Sequence, residues 1–443
     1  MKIPIMLVAA TFGWSVPFFA EEAPWKEILG PPQGEVPDDP GGRVVWRDDF
    51  PKSLEEARRT GRPLLVTWRC LPCKQCADFD QAVLDGGEAL DPLLRRFVTV
   101  RLTDASLLDE RYFPYRTHQD LDLSWWAYFL SPEGDYYGVF GGKDHVSDTT
   151  RMSEAAFVNT LRRVLEHHHD PRRETWGIDL PHGTAATEPK GPKDMEGYRL
   201  LLAKRPGMAN PHPQHGSCLH CHQVGDMLTL ETLESDTFKP DDLLGKWPLP
   251  ENAGIRLDRD DGLLVNDIDP GSPAELAGLR TGDRLGMAGG MRLFGQADFR
   301  GVLHRLDSGA TTVPIAWTRD GDVRVGRLSL KSGWRTTENW WRKTVYDGVY
   351  GPGMGFFPLA GPRFGKGQGL SVKPWMGPKP AERPIFATGL RPSMEIVAIN
   401  GMKDDMEIRK LIAWFRFNHS PGDEIRYTVK GGQEFRHVLP VEE

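Results

Sequence analysis

The run GRPLLVTWRCLPCKQC, residues 61–76, decides how this chain is read. Pro63 to Trp68 is an apolar run of strand length. It delivers the chain into Cys70, Cys73 and Cys76, two overlapping Cys-x-x-Cys pairs that open a helical pattern. A thiol at a helix N-terminus lies at the positive end of the helix dipole, which favours its thiolate. A second thiol three positions away closes a ring and releases a mixed disulfide. Cys70, Cys73 and Cys76 are therefore candidate catalytic residues. Residue types alone leave two other readings open, a plain disulfide with one thiol left over and a three-thiolate site for copper or zinc.

Working outward, the segment from Ser53 to Gly61 reads as a short amphipathic helix, with Ser53 as N-cap and Gly61 as its stop. Phe97 to Asp104 is a second strand. Tyr128 to Phe140, with Ser131-Pro-Glu-Gly134 at its centre, is a hairpin, and Ser153 to His169 is a closing helix. The order is α/β and the unit spans 44–170. His167, His168 and His169 read as a solvated C-terminal run that complements the helix dipole.

The stretch from Ser53 to Gly142 resembles the extracytoplasmic seven-type thioredoxin-like domains, whose pattern is a proline-led apolar strand followed by Trp-Cys-x-x-Cys. The resemblance implies a thioredoxin-like fold and thiol-redox activity. Ungapped counting from Pro63 places the family pair on Cys73 and Cys76; matching by residue type selects Cys70 and Cys73. The first alignment is preferred, with Cys70 as a third participant. Where thioredoxins place a cis-proline facing the thiols, this chain has LSWWA, residues 123–127, and the position falls near Trp125.

Residues 1–20 carry one lysine, an apolar stretch and Ala20 before two acids, which reads as a signal peptide and predicts a secreted, periplasmic or cell-envelope protein. That space is oxidising and keeps disulfides. No later stretch is long and apolar enough to span a bilayer, so no transmembrane span is expected in the mature chain. A net charge of −7 and the lack of a basic stripe argue against nucleic acid as a partner. Residues 21–43, rich in Pro, Gly and acids, read as a linker, and so do 171–197.

Residues 198–247 form a short helical segment containing Cys218-Leu-His-Cys221-His222. Cys-x-x-Cys-His is the attachment sequence of c-type haem, in which Cys218 and Cys221 bind the porphyrin covalently and His222 is the iron ligand. The segment around it resembles cytochrome c sequences, and the expected cofactor is covalent haem c. Met208, His212, His215 and Met227 are candidate distal ligands. A Cys218–Cys221 disulfide, or a zinc site drawing on His215, His220 or His222, is the alternative.

From residue 248 the pattern changes to short strands with glycine turns, and it repeats. The run AGLRTGDRL at 277–285 aligns with TGLRPSMEI at 388–396, and Gly289-Gly290 aligns with Asn400-Gly401 at the same offset. Residues 248–332 resemble a PDZ domain of the kind attached to bacterial envelope proteases, and 333–443 resemble a divergent second copy. The resemblance implies peptide binding by strand addition, with Ala253, Gly254 and Ile255 as the carboxylate-receiving loop. Arg and Trp residues in 332–342 read as an inter-domain packing surface. No Gly-x-Ser-Gly-Gly run is present, so a serine protease is not expected.

The expected fold class is multidomain α/β plus mainly β. A thioredoxin-like domain is followed by the Cys-x-x-Cys-His segment and two PDZ-like domains. That order resembles a bacterial extracytoplasmic family of seven-type thioredoxin-like/PDZ (seleno)proteins. The expected function is thiol redox, coupled to haem if one is attached, with an extracytoplasmic protein or peptide held by the PDZ modules and a separate redox partner. The alternative is a non-catalytic envelope adaptor whose cysteines are structural or bind metal.

Overall fold

A computed structural model describes residues 23–69, 77–143, 153–181, 191–204, 219–360, 369–375 and 383–441. The chain enters through a short helix, α1 (Ala23–Ile28), where the composition reads as linker. Trp25 and Ile28, three residues apart, share one face of it and are buried. Helix α2 (Phe50–Thr60) starts three residues before the expected cap. The Asp49 carboxylate receives the Lys52 N–H at 3.1 Å, and Ser53 lies inside the helix, donating its hydroxyl to the Asp49 carbonyl. Pro51, set for the first turn, allows the earlier start. Gly61 ends α2 with φ 68°, as expected.

Strand β1 (Leu64–Trp68) is buried at every residue because it lies centrally. Helices α3 (Ala77–Asp85) and α4 (Asp91–Leu94) lead to β2 (Val98–Leu102). Helix α5 (Tyr115–His118) precedes the hairpin of β3 (Ser124–Leu130) and β4 (Tyr136–Lys143). The sheet order is β2, β1, β3, β4, with β1 parallel to β2 and antiparallel to β3. Strand alternation splits the aromatics between two cores. Trp126 and Tyr128 face one, and Trp125 and Phe129 the other. Helix α6 (Glu154–His169) covers the second core, its Ser153 cap receiving the Ala156 N–H at 3.1 Å.

The histidine run is only partly solvated. His167 is buried, with Nε2 2.7 Å from Asp179 Oδ1, and His168 lies 2.9 Å from both the Tyr137 hydroxyl and the Gly61 carbonyl. The described part of 171–197 carries regular structure of its own. It holds helix α7 (Arg173–Trp176) and a bridge from Leu180 to Tyr136.

Helices α8 (Glu196–Lys204), α9 (Cys221–Glu234) and α10 (Pro240–Leu244) form the next segment. Gly197 lets α8 and α9 approach closely, since a Cβ there would lie 2.4 Å from the Met227 carbonyl oxygen. A β unit follows: β5 (Ile255–Leu257), β6 (Val265–Ile268), α11 (Pro273–Leu276), β7 (Arg284–Ala288), β8 (Met291–Arg292), α12 (Gln296–Arg305), β9 (Thr311–Arg319) and β10 (Asp322–Leu330). The last unit runs α13 (Lys343–Tyr346), β11 (Phe357–Ala360), β12 (Val372–Trp375), β13 (Ile396–Ile399), α14 (Ile408–Asn418), β14 (Glu424–Val429) and β15 (Glu434–Val438). The repeat has matching backbone. Gly289 and Gly290 have φ 55° and 84°, and Asn400 and Gly401 have φ 50° and 84°, each pair closing a turn after the equivalent strand.

The last unit has its own core around Ile396, Leu411 and Tyr427, and the earlier units share one. One apolar cluster runs from Val66 and Tyr128 through Val224 and Met227 to Ile255, Phe299 and Trp334. Trp25 and Ile28 of α1 pack on Met287 and Ala316, so the first described residues brace the later β unit. Asp298 of α12 receives N–H groups from Val139 at 2.9 Å, Phe294 at 2.8 Å and Gly295 at 3.1 Å. Burial pushes its carboxyl up to about 7.

Candidate functional site

The parallel strands β1 and β2 end on the same edge of the sheet, where the Arg69 N–H donates to the Leu102 carbonyl at 3.2 Å. Cys70, Cys73 and Cys76 follow Arg69 directly and lie outside the described residues. Helix α3 resumes at Ala77, and in its first turn Asp80 is buried at 4% exposure. Its Oδ2 lies 2.6 Å from an Arg101 nitrogen and 3.4 Å from an Arg69 nitrogen, while Oδ1 accepts the Trp125 indole N–H at 3.1 Å. One carboxylate thus joins α3 to the ends of β1 and β2 and to the entry of β3.

Trp125 itself has φ 60°, a left-handed conformation that bulky side chains rarely adopt. Gly141 on the neighbouring strand makes this possible, because a Cβ there would lie 2.2 Å from the Trp125 carbonyl oxygen. The indole packs edge-on against Phe79 and Phe157, at centroid distances of 4.7 and 5.5 Å.

Just ahead of Trp125, the loop at 119–123 is gripped by residues far along the chain. Asp120, 1% exposed, receives Arg342 at 2.5 Å and Arg300 at 3.3 Å. Asp122 accepts the Thr344 N–H at 2.8 Å and its hydroxyl at 2.6 Å, and lies 3.7 Å from the Lys246 ammonium. Those basic partners keep the Asp122 carboxyl below its ordinary range despite burial.

The second cysteine segment reaches the same edge. Asp104, two residues beyond β2, accepts the Leu219 N–H at 3.2 Å. Cys221, in the first turn of α9, is 8% exposed and belongs to the apolar cluster that holds Leu219, Val224 and Tyr128. His222 is half-buried, and its ring stacks on that of His220 at 5.4 Å. Cys218, Met208, His212 and His215 lie outside the described residues, and Met227 is fully buried. Among the described residues no group of three or more His, Cys, Asp or Glu is placed to hold a metal ion.

Ala253 and Ile255 are fully buried, and Gly254 donates its N–H to the Glu251 carbonyl at 2.9 Å with φ 81°. The neighbouring Asn252 side chain is engaged by residues of the 332–342 segment. It donates to the Trp334 carbonyl and accepts from the Thr337 hydroxyl, both at 2.8 Å. Trp334, Trp341 and Arg342 are buried, which makes 332–342 a packing segment. Asp80, Arg101 and Asp120 escape a sequence reading. An acid one helical turn beyond a cysteine run is the one local signal, and it points only to Asp80.

Residues 45–123 match a family model described as thioredoxin-like. This part of the chain is a thioredoxin-like domain, and its match takes in the cysteine run. No curated protein matches the chain. Among the described residues no helix is long and apolar enough to cross a membrane.

Proposed function

We propose that the protein is an extracytoplasmic thiol–disulfide oxidoreductase acting through Cys73 and Cys76, with Cys70 as a third thiol. The observation that carries the reading is the position of the cysteine run, between β1 and α3 of a domain matched as thioredoxin-like. In the reducing direction one thiolate attacks a substrate disulfide, a mixed disulfide forms and one substrate thiolate leaves. The second thiolate then displaces the other substrate sulfur. Two electrons pass to the substrate, the protein is left with a disulfide, and a separate reductant restores it. The signal-like N-terminus supports action in an oxidising space. The duplicated β units, on this reading PDZ-like, hold a partner peptide.

A haem on Cys218, Cys221 and His222 fits the described residues poorly. Cys221 is enclosed in the apolar cluster against the thioredoxin-like sheet, and α8 closes on α9 at Gly197. A Soret band in the purified protein would show a haem bound there.

The test is reduction of insulin or a model disulfide by the full chain. Cys73→Ser and Cys76→Ser each abolish the activity; wild-type rates in both variants would show the assignment to be wrong.

A further inference from the structure

We infer that Asp80 is a positioning residue for the thiol site, its carboxylate tying the first turn of α3 to the residue that precedes the cysteine run and to the entry of β3. The inference rests on the thiol-redox reading above. The contacts converge from three strands: Arg69 at the end of β1, Arg101 on β2 and Trp125 on β3. A carboxylate this buried needs charge partners, and among the described residues its ion pairs are with Arg69 and Arg101. β3 presents the uncharged indole.

Trp125 shows that the arrangement does more than fill space. A left-handed tryptophan costs about 1–3 kcal/mol and persists only where its surroundings over-determine it. An ordinary extended conformation would redirect the indole away from Asp80. The Asp80 bond, the edge-on contacts with Phe79 and Phe157, and Gly141 hold it against that relaxation. The strained residue stands at the place where the thioredoxin resemblance puts a proline facing the thiols. Asp80 therefore links the two chain segments that flank the site and balances the cation adjoining Cys70.

The experiment is the pH profile of alkylation of Cys70, Cys73 and Cys76 in the reduced full chain, read cysteine by cysteine by mass spectrometry. Asp80→Asn removes the Asp80 charge beside Arg69 and Arg101 and favours the thiolate. The midpoint for the reactive thiol moves to lower pH by about half a unit, roughly threefold more thiolate below the midpoint. Asp80→Glu restores the wild-type profile. Arg69→Gln removes the cation and moves the midpoint the opposite way. It also keeps Asp80 paired with Arg101, so it carries the test alone if Asp80→Asn does not fold. Midpoints unchanged in folded variants, or shifted in the same direction by both, overturn the inference while leaving the redox reading intact. A wild-type chain with no reducible cysteine couple overturns the redox reading and the inference with it.

Discussion

Arg342→Ala tests whether the grip on the loop ahead of β3 is energetic or incidental. Arg342 is fully buried; besides Asp120 it donates Nε to Asn339 Oδ1 at 2.8 Å and lies 4.6 Å from the Trp341 ring. Truncation leaves the Asp120 carboxylate buried, with the 3.3 Å Arg300 contact as its remaining ion pair among the described residues. Breaking a buried pair by removing one partner costs about 3–5 kcal/mol, and the residual Arg300 contact brings the expectation to about 2–4 kcal/mol. With a urea slope of about 3 kcal/mol/M, the midpoint falls by roughly 1 M. Tryptophan fluorescence is the assay, because Trp341 reports directly on the altered environment. Arg342→Met combined with Asp120→Asn removes both members of the closer pair and regains part of the loss, since an unpaired buried charge is the costly species, while Arg300 gives up its 3.3 Å Asp120 contact. A shift in Arg342→Ala below about 0.2 M, or a double variant as unstable as the two single losses combined, refutes the reasoning.

Acid should unfold the protein through its histidines. Burial holds His118, His167 and His304 below the usual imidazole range and His168 down to about 4, so the stability they contribute is complete above pH 6.5 and is lost as pH falls below it. For His168 alone the loss reaches about 3 kcal/mol once pH passes below 4. Asp298 has the opposite sign, gaining as pH falls from 7, but it is one carboxyl against four imidazoles. The thermal midpoint therefore drops between pH 7 and pH 5; an unchanged or higher midpoint at pH 5 contradicts this. Gly141→Ala places a methyl 2.2 Å from the Trp125 carbonyl oxygen at φ 140°, and should cost more than about 1 kcal/mol in denaturant titrations, whereas Gly61→Ala meets open space and loses less.

What the sequence conveyed was local. The apolar run ending at Trp68, the closing helix that begins beside Ser153 and the stop at Gly61 each act within a few residues, and each stands where the pattern puts it. The glycine turns of the repeat are equally plain, because positive φ leaves a compositional mark. What it concealed depends on distant partners. Trp25 and Ile28 sit in a Pro/Gly-rich stretch whose composition says linker, and their burial is supplied by β7 and β9. His167 ends a helix in the manner of a solvated cap until Asp179 folds back onto it. The ring of basic and hydroxyl groups around Asp120 and Asp122 draws on Lys246, Arg300, Arg342 and Thr344, and no periodicity connects those positions.

Separation along the chain also sets an order of assembly. Asp120 and Arg342 are 222 residues apart, so at about 5–20 residues per second the arginine is synthesised roughly 10–45 s after its partner. The four strands of the first sheet are complete long before then, while the two acids ahead of β3 still await their counter-ions. Until those later residues are in place, the two acids of that loop lack the partners that hold them in the folded chain. The thioredoxin-like domain is finished only when residues well downstream of it, Lys246, Arg300, Arg342 and Thr344, arrive to seat the loop.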